Sequence, residues 1–175
     1  TQIELDRALE YLLSRLEETG AAERTLIVMS ADHYPYGLKH QDLESLAGKQ
    51  ITGLELYRSS LIIYAAGMKP ETVNTPVSSL DIIPTISNLL GLEYDSRMLM
   101  GRDAFSDTEP LVIFLDRSFI TGDGTYYAPD RNWFAESGET LSESDLITRL
   151  NEIEERFYYS QLILENDYYS RLNLD

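Results

Sequence analysis

The sequence predicts an α/β fold: a mixed or mainly parallel sheet, helices on both faces and one small antiparallel hairpin. Three observations carry this. Residues 26–33, Leu-Ile-Val-Met-Ser-Ala-Asp-His, open as a continuous branched apolar run of the kind found in strands covered on both faces. Residues 60–65, Ser-Leu-Ile-Ile-Tyr-Ala, repeat the pattern and stop at Gly67. Apolar residues at helical spacing precede the first run and follow the second.

Each element has a local reason. Ile3, Leu5, Ala8, Leu9, Leu12, Leu13 and Leu16 fall on one face of a helix, and Glu4, Arg7, Glu10, Arg15, Glu17 and Glu18 lie mostly on the other. That helix ends near Gly20, which accepts the left-handed conformation of a helix stop. The first strand must end by Tyr34, because Pro35 lacks an amide hydrogen and Gly37 permits a sharp turn. Residues 37–53 read as a polar loop with a short helix around 42–47, placed where an active-site loop belongs. After the second strand, 68–70 form a turn and 73–77 an extended piece. Ser78, Ser79 or Asp81 can cap the next helix, and Pro84 is tolerated early in it. Ile82, Ile83, Ile86, Leu89 and Leu90 supply its apolar face, and Gly91 stops it.

The remainder alternates a loop, strands and a long helix. Residues 98–103 form the loop and 111–115 a strand followed by Asp116, Arg117 and Ser118. Gly122-Asp123-Gly124-Thr125 reads as a hairpin turn, with 125–128 as its return strand. It lacks the alternating carboxylates of a calcium loop. Ser142 to Asp145 can cap a helix bearing Leu146, Leu150, Ile153 and Phe157, a pattern that persists through Leu164. The tyrosine pairs at 158–159 and 168–169 have the density of a carbohydrate-stacking surface, but helical spacing favours packing against the sheet or a neighbouring domain.

Composition narrows the function classes. With 43% hydrophobic residues the chain is too apolar for intrinsic disorder and long enough for a substantial core. A formal net charge of −16 disfavours nucleic acid and anionic membrane surfaces as partners, since phosphate neutralisation needs clustered Lys and Arg. The absence of cysteine removes disulfides and thiolate metal sites. No run of eighteen apolar residues occurs, so the chain itself reads as soluble.

The chemistry-bearing residues cluster around the first strand. Asp32 and His33 stand at its carboxyl end, the edge where open α/β sheets bind ligands, and together offer an oxygen and a nitrogen donor to a divalent cation. His40, the second of two histidines, lies seven residues further on across a turn; it can join such a site as a phosphate donor or remain at the surface. Arg117 follows a strand and can bind a phosphate oxygen, or close a turn salt bridge. Asp81 reads as a helix cap rather than a ligand, and Asp42 and Glu44 as solvated groups.

Three segments in order carry a family resemblance. They are Thr-Leu-Ile-Val-Met-Ser-Ala-Asp-His-Tyr at 25–34; Ser-Leu-Ile-Ile-Tyr-Ala-Ala-Gly at 60–67 with Ser-Leu-Asp-Ile-Ile-Pro-Thr-Ile-Ser-Asn-Leu-Leu-Gly at 79–91; and Met-Gly-Arg-Asp at 100–103. They resemble the sulfatase-like branch of the alkaline phosphatase superfamily, most closely its lipoteichoic acid synthase and phosphoglycerol transferase group. The resemblance implies part of a three-layer α/β/α sandwich: residues 1–135 as the carboxyl-terminal half of the catalytic domain, and 136–175 as a helical, tyrosine-rich tail packing on it. It implies that Asp32 and His33 are metal ligands, with Mn²⁺ the first expectation and Mg²⁺ or Zn²⁺ admitted by the same donors. A glutamate ligand and a nucleophilic threonine are expected from the amino-terminal half, upstream of this chain. Neither Thr25 nor Thr85 matches a nucleophile motif, so no catalytic residue is assigned here and the chain alone is expected to be silent.

The implied partners are that missing half, a phosphatidylglycerol-like lipid and a glycerol-phosphate polymer. The implied location is the outer face of a bacterial membrane, through an anchor in the parent protein. Pro35 and Tyr36 depart from the family pattern, which often has smaller residues there. Two other readings stand beside this one. The parent can be a sulfatase or phosphomutase with a different nucleophile, or the chain can be a noncatalytic envelope or glycan-binding domain.

Overall fold

A computed structural model describes residues 2–136, 138 and 140–172. The chain is α/β, and it groups into two compact units that meet in sequence between Thr72 and Val73. The boundary expected at 135/136 falls inside the second unit.

In the first unit, α1 spans Gln2–Glu18. It stops as its glycine requires: Gly20 takes φ 67°, its amide donates to Glu17 O, and the Ala21 amide donates to Leu16 O at 2.8 Å. This pair of bonds satisfies carbonyls that the helix end leaves open. Strand β1, Leu26–Met29, pairs antiparallel with β2, Ile62–Ala65, in the register Leu26↔Ala65 to Met29↔Ile62. Between them α2, His40–Ala47, is tied at its start by the Lys39 amide donating to Asp42 Oδ2 at 3.2 Å, and closes at Gly48 in the left-handed region. Leu13 and Leu16 of α1 share a cleft with Ile27 and Tyr64, while Ile3 and Leu5 nearer its start stay exposed.

In the second unit, a 3-10 turn at Ser79–Asp81 leads into α3, Ile82–Leu89. Gly91 ends it as Gly20 ended α1, with Leu92 N donating to Ser87 O. A four-stranded antiparallel meander follows: β3 (Val112–Ile113), β4 (Phe119–Ile120), β5 (Gly124–Tyr127) and β6 (Asn132–Ala135). The long α4, Glu143–Glu165, starts with Ser142 Oγ accepting from the Asp145 amide. Phe119, Tyr126 and Ile153 form the buried core, so α4 shares its interior with β4 and β5. Leu146, Leu150 and Phe157, placed on one helix face by their spacing, pack around that core.

The pairing sense differs from the expected mixed or mainly parallel sheet, because both sheets among the described residues are antiparallel. The physical reason is that an apolar run reports which faces of a strand are covered and not which way its neighbour runs. The first strand also ends at Met29 rather than continuing to His33. Ser30 to His33 have left the ladder, with the Ala31 amide donating to Ser59 Oγ at 3.3 Å. The hairpin falls where Gly122 to Thr125 put it, and the Thr121 amide donates to Gly124 O across the turn. Gly124 is required by packing: a Cβ there would sit 2.4 Å from Phe134 O.

Candidate metal centre

The loop leaving β1 carries Asp32 and His33, and local bonds hold both in one arrangement. The backbone amide of His33 donates to Asp32 Oδ1 at 2.8 Å, and Oδ2 is turned toward the His33 ring. Nδ1 of His33 lies 2.7 Å from Tyr34 O. A carbonyl only accepts, so Nδ1 carries the proton and, in the neutral ring, Nε2 keeps its lone pair. Nε2 faces Asp32 Oδ2 at 3.2 Å. A carboxylate oxygen and an imidazole nitrogen converging in this way suit a shared cation. Both side chains reach solvent, Asp32 with 85% of its surface exposed, so a ligand meets no packing barrier.

Aromatic rings wall this pair. Tyr36 stacks on the His33 imidazole with centroids 4.1 Å apart and planes 6° from parallel. Tyr34 meets Tyr36 and Tyr57 edge-on at 4.7 and 5.9 Å. Sequence reasoning missed the Tyr36 contact; its only trace was the departure from family pattern at 35–36.

The other candidates have partners of their own. His40 begins α2 and faces Glu44 Oε1 at 3.4 Å, one turn on. Glu44 Oε1 also accepts from the Ile51 amide at 3.1 Å. Among the described residues no group of three or more His, Asp or Glu side chains is arranged to hold a metal. Arg117, in the second unit, is committed elsewhere. Its Nε and Nη2 donate to the two carboxylate oxygens of Glu154 on α4, its Nη1 to Leu115 O, and its guanidinium lies 4.0 Å over the Phe157 ring. Hydrogen bonding to that guanidinium lowers the Glu154 pKa from its ordinary value. Three of its five N–H donors are thereby engaged, and Arg117 closes a turn onto α4, the salt-bridge alternative among its two readings.

Residues of the second and third sequence segments hold each other. Asp81 is 3% exposed; its Oδ2 accepts from the Ser78 amide and its Oδ1 from the Arg102 amide, both at 2.8 Å. Thr85 donates to Asp81 O and accepts from the Ala104 amide, so its hydroxyl is fully used in structure. Gly101 passes so close that a Cβ would lie 2.0 Å from Leu80 O. Thr25 likewise donates to Ala21 O within a turn.

Comparison with known proteins shows the family. The sulfatase family profile matches residues 3–92, which include all but the first residue of α1, then β1, the Asp32–His33 loop, β2 and α3. The chain belongs to the sulfatase family. Within it, the chain is similar to the lipoteichoic acid synthase-like protein YvgJ of Bacillus subtilis, 30% identical over 93% of this chain and 28% of that protein. Lipoteichoic acid synthase 2 of the same organism is 30% identical over 81% of this chain and 23% of its own length. The lipoteichoic acid synthase of Staphylococcus aureus strain USA300 is 31% identical over 70% of this chain and 20% of its own length. The chain thus spans about a quarter of the length of these relatives. It is a lipoteichoic acid synthase-like member of the sulfatase family, of the alkaline-phosphatase-like α/β type. No helix among the described residues is long and apolar enough to cross a membrane.

Proposed function

We propose that this chain is part of a metal-dependent phosphoglycerol transferase, acting on phosphodiester lipid headgroups in cell-envelope polymer synthesis at the outer face of a bacterial membrane. The observation that carries this reading is the Asp32–His33 pair: an oxygen and a nitrogen donor facing each other 3.2 Å apart, in a family member similar to lipoteichoic acid synthases. The donor set fits a divalent ion. Mn²⁺ is the first choice, and Mg²⁺ or Zn²⁺ accept the same oxygen and nitrogen donors. When bound, such an ion supplies Lewis acidity, easing deprotonation of a hydroxyl and offsetting charge on phosphoryl oxygens.

The chain's own residues hold and orient. The His33 amide holds Oδ1 of the Asp32 carboxylate and the Tyr34 carbonyl holds Nδ1 of the imidazole, so that Oδ2 and Nε2 face each other. On this reading the nucleophilic threonine and a glutamate ligand come from the amino-terminal half of the same catalytic domain. That half is the chain's first partner, a phosphatidylglycerol-like lipid the donor and a glycerol-phosphate polymer the acceptor.

The test is glycerol-phosphate transfer by the full parent protein in vesicles containing phosphatidylglycerol, read as diacylglycerol released. Asp32→Ala and His33→Ala should each lower the rate at least about 100-fold, since losing even an outer-shell partner of a metal costs 10–100-fold. Unchanged rates in both variants would remove the assignment. Cleavage of a sulfate ester with no transfer from the lipid would favour the sulfatase reading instead.

A further inference from the structure

We infer that Tyr36 is a positioning residue for metal capture: its ring holds the plane of the His33 imidazole so that Nε2 stays aimed at the cation shared with Asp32. The inference rests on the metal reading above and adds a residue to it. Two restraints act on the imidazole, and they do different work. The Nδ1–H bond to Tyr34 O, at 2.7 Å, decides which edge of the ring faces outward. It leaves the ring able to tilt, because one hydrogen bond tolerates a wide range of planes.

The stack removes that freedom. With the planes 6° from parallel at 4.1 Å, tilting His33 about its bond to the backbone would drive it into the Tyr36 ring. Stacking covers a face of the imidazole, whereas the nitrogen lone pairs lie in the ring plane, so Tyr36 orients the ligand without blocking it. Tyr36 is in turn braced by the edge of Tyr34, whose ring also meets Tyr57. The return of Tyr36 over His33 is a product of the local sequence. Pro35 fixes its own φ, and its carbonyl accepts from the Leu38 amide at 3.1 Å, which turns the chain back.

The chain has only two histidines, which makes the test direct. His33 and His40 ring signals are followed by NMR in the chain as it stands, first without metal and then during titration with Mn²⁺ alone, whose paramagnetism broadens nearby resonances. Tyr36→Leu keeps bulk without an aromatic face, and Tyr36→Phe keeps the face without the hydroxyl. Without metal, His33 ring protons should lose their upfield ring-current shift in Tyr36→Leu and keep it in Tyr36→Phe, with His40 unmoved in both. On titration, Tyr36→Leu should need roughly ten-fold more Mn²⁺ to broaden His33, as for loss of an outer-shell partner, and Tyr36→Phe about the same as the unaltered chain.

Equal Mn²⁺ requirements in all three, with Asp32→Ala abolishing the broadening, would overturn the role of Tyr36 while leaving the metal site standing. Broadening of His33 that survives Asp32→Ala would instead overturn the metal reading on which the inference rests.

Discussion

Arg117 shows how a residue's role is set by what lies far from it in sequence. Its guanidinium meets Glu154, 37 residues on, and the face of Phe157. A planar fork matched to a carboxylate suits phosphate equally well, so the side chain alone did not choose between them. The ion pair has a pH consequence of definite sign. The Arg117 guanidinium lowers the Glu154 pKa in the folded state, so the pair's contribution is present above the unfolded carboxylate range and is lost as pH falls through the lowered value. Followed by NMR, the Glu154 carboxyl should titrate below an ordinary glutamate, and Arg117→Ala should move its midpoint back up. An unshifted midpoint in the unaltered chain would remove the ion pair from solution. Because Glu154 is exposed, the effect on overall stability should be small.

Among the elements, helices were the most legible and strand partners the least. Gly20 and Gly91 announced the ends of α1 and α3, and both take positive φ with the same pair of capping bonds. The Asp81 cap was also legible: its carboxylate reaches back to the Ser78 amide. Its second bond, to the Arg102 amide, was not, because the partner lies 21 residues away. That bond joins the start of α3 to the Met100–Asp103 loop, with Gly101 allowing the approach. Asp81→Ala leaves two amide donors unpaired and should cost about 3 kcal/mol in denaturant unfolding, and Asp81→Asn about half of that. A loss under about 0.5 kcal/mol for Asp81→Ala would show that the joint is not formed. Strand β6 escaped prediction since only Trp133 and Phe134 hint at a strand there. The first strand was read too long because Ser30 and Ala31 carry no stop signal.

For the molecule as a whole, the candidate site is incomplete in a specific way. Asp32 and His33 offer two donors, and the described residues hold no larger metal group. Two ligands leave most of a divalent ion's coordination sphere to other groups. This chain by itself should therefore release no diacylglycerol from phosphatidylglycerol vesicles with Mn²⁺ present. Turnover that Asp32→Ala abolishes would show that the chain carries a nucleophile of its own.

What the sequence determined by itself was local: the α/β class, the helices and their glycine stops, and the hairpin at Gly122 to Gly124. These are written in spacings of a few residues, where periodicity and backbone preference act directly. Tertiary structure alone decided the antiparallel pairing of β1 with β2, the capture of Arg117 by Glu154 and the bond from Asp81 to Arg102. Each depends on which surfaces meet once the chain has folded back on itself, and no single segment specifies its own partner.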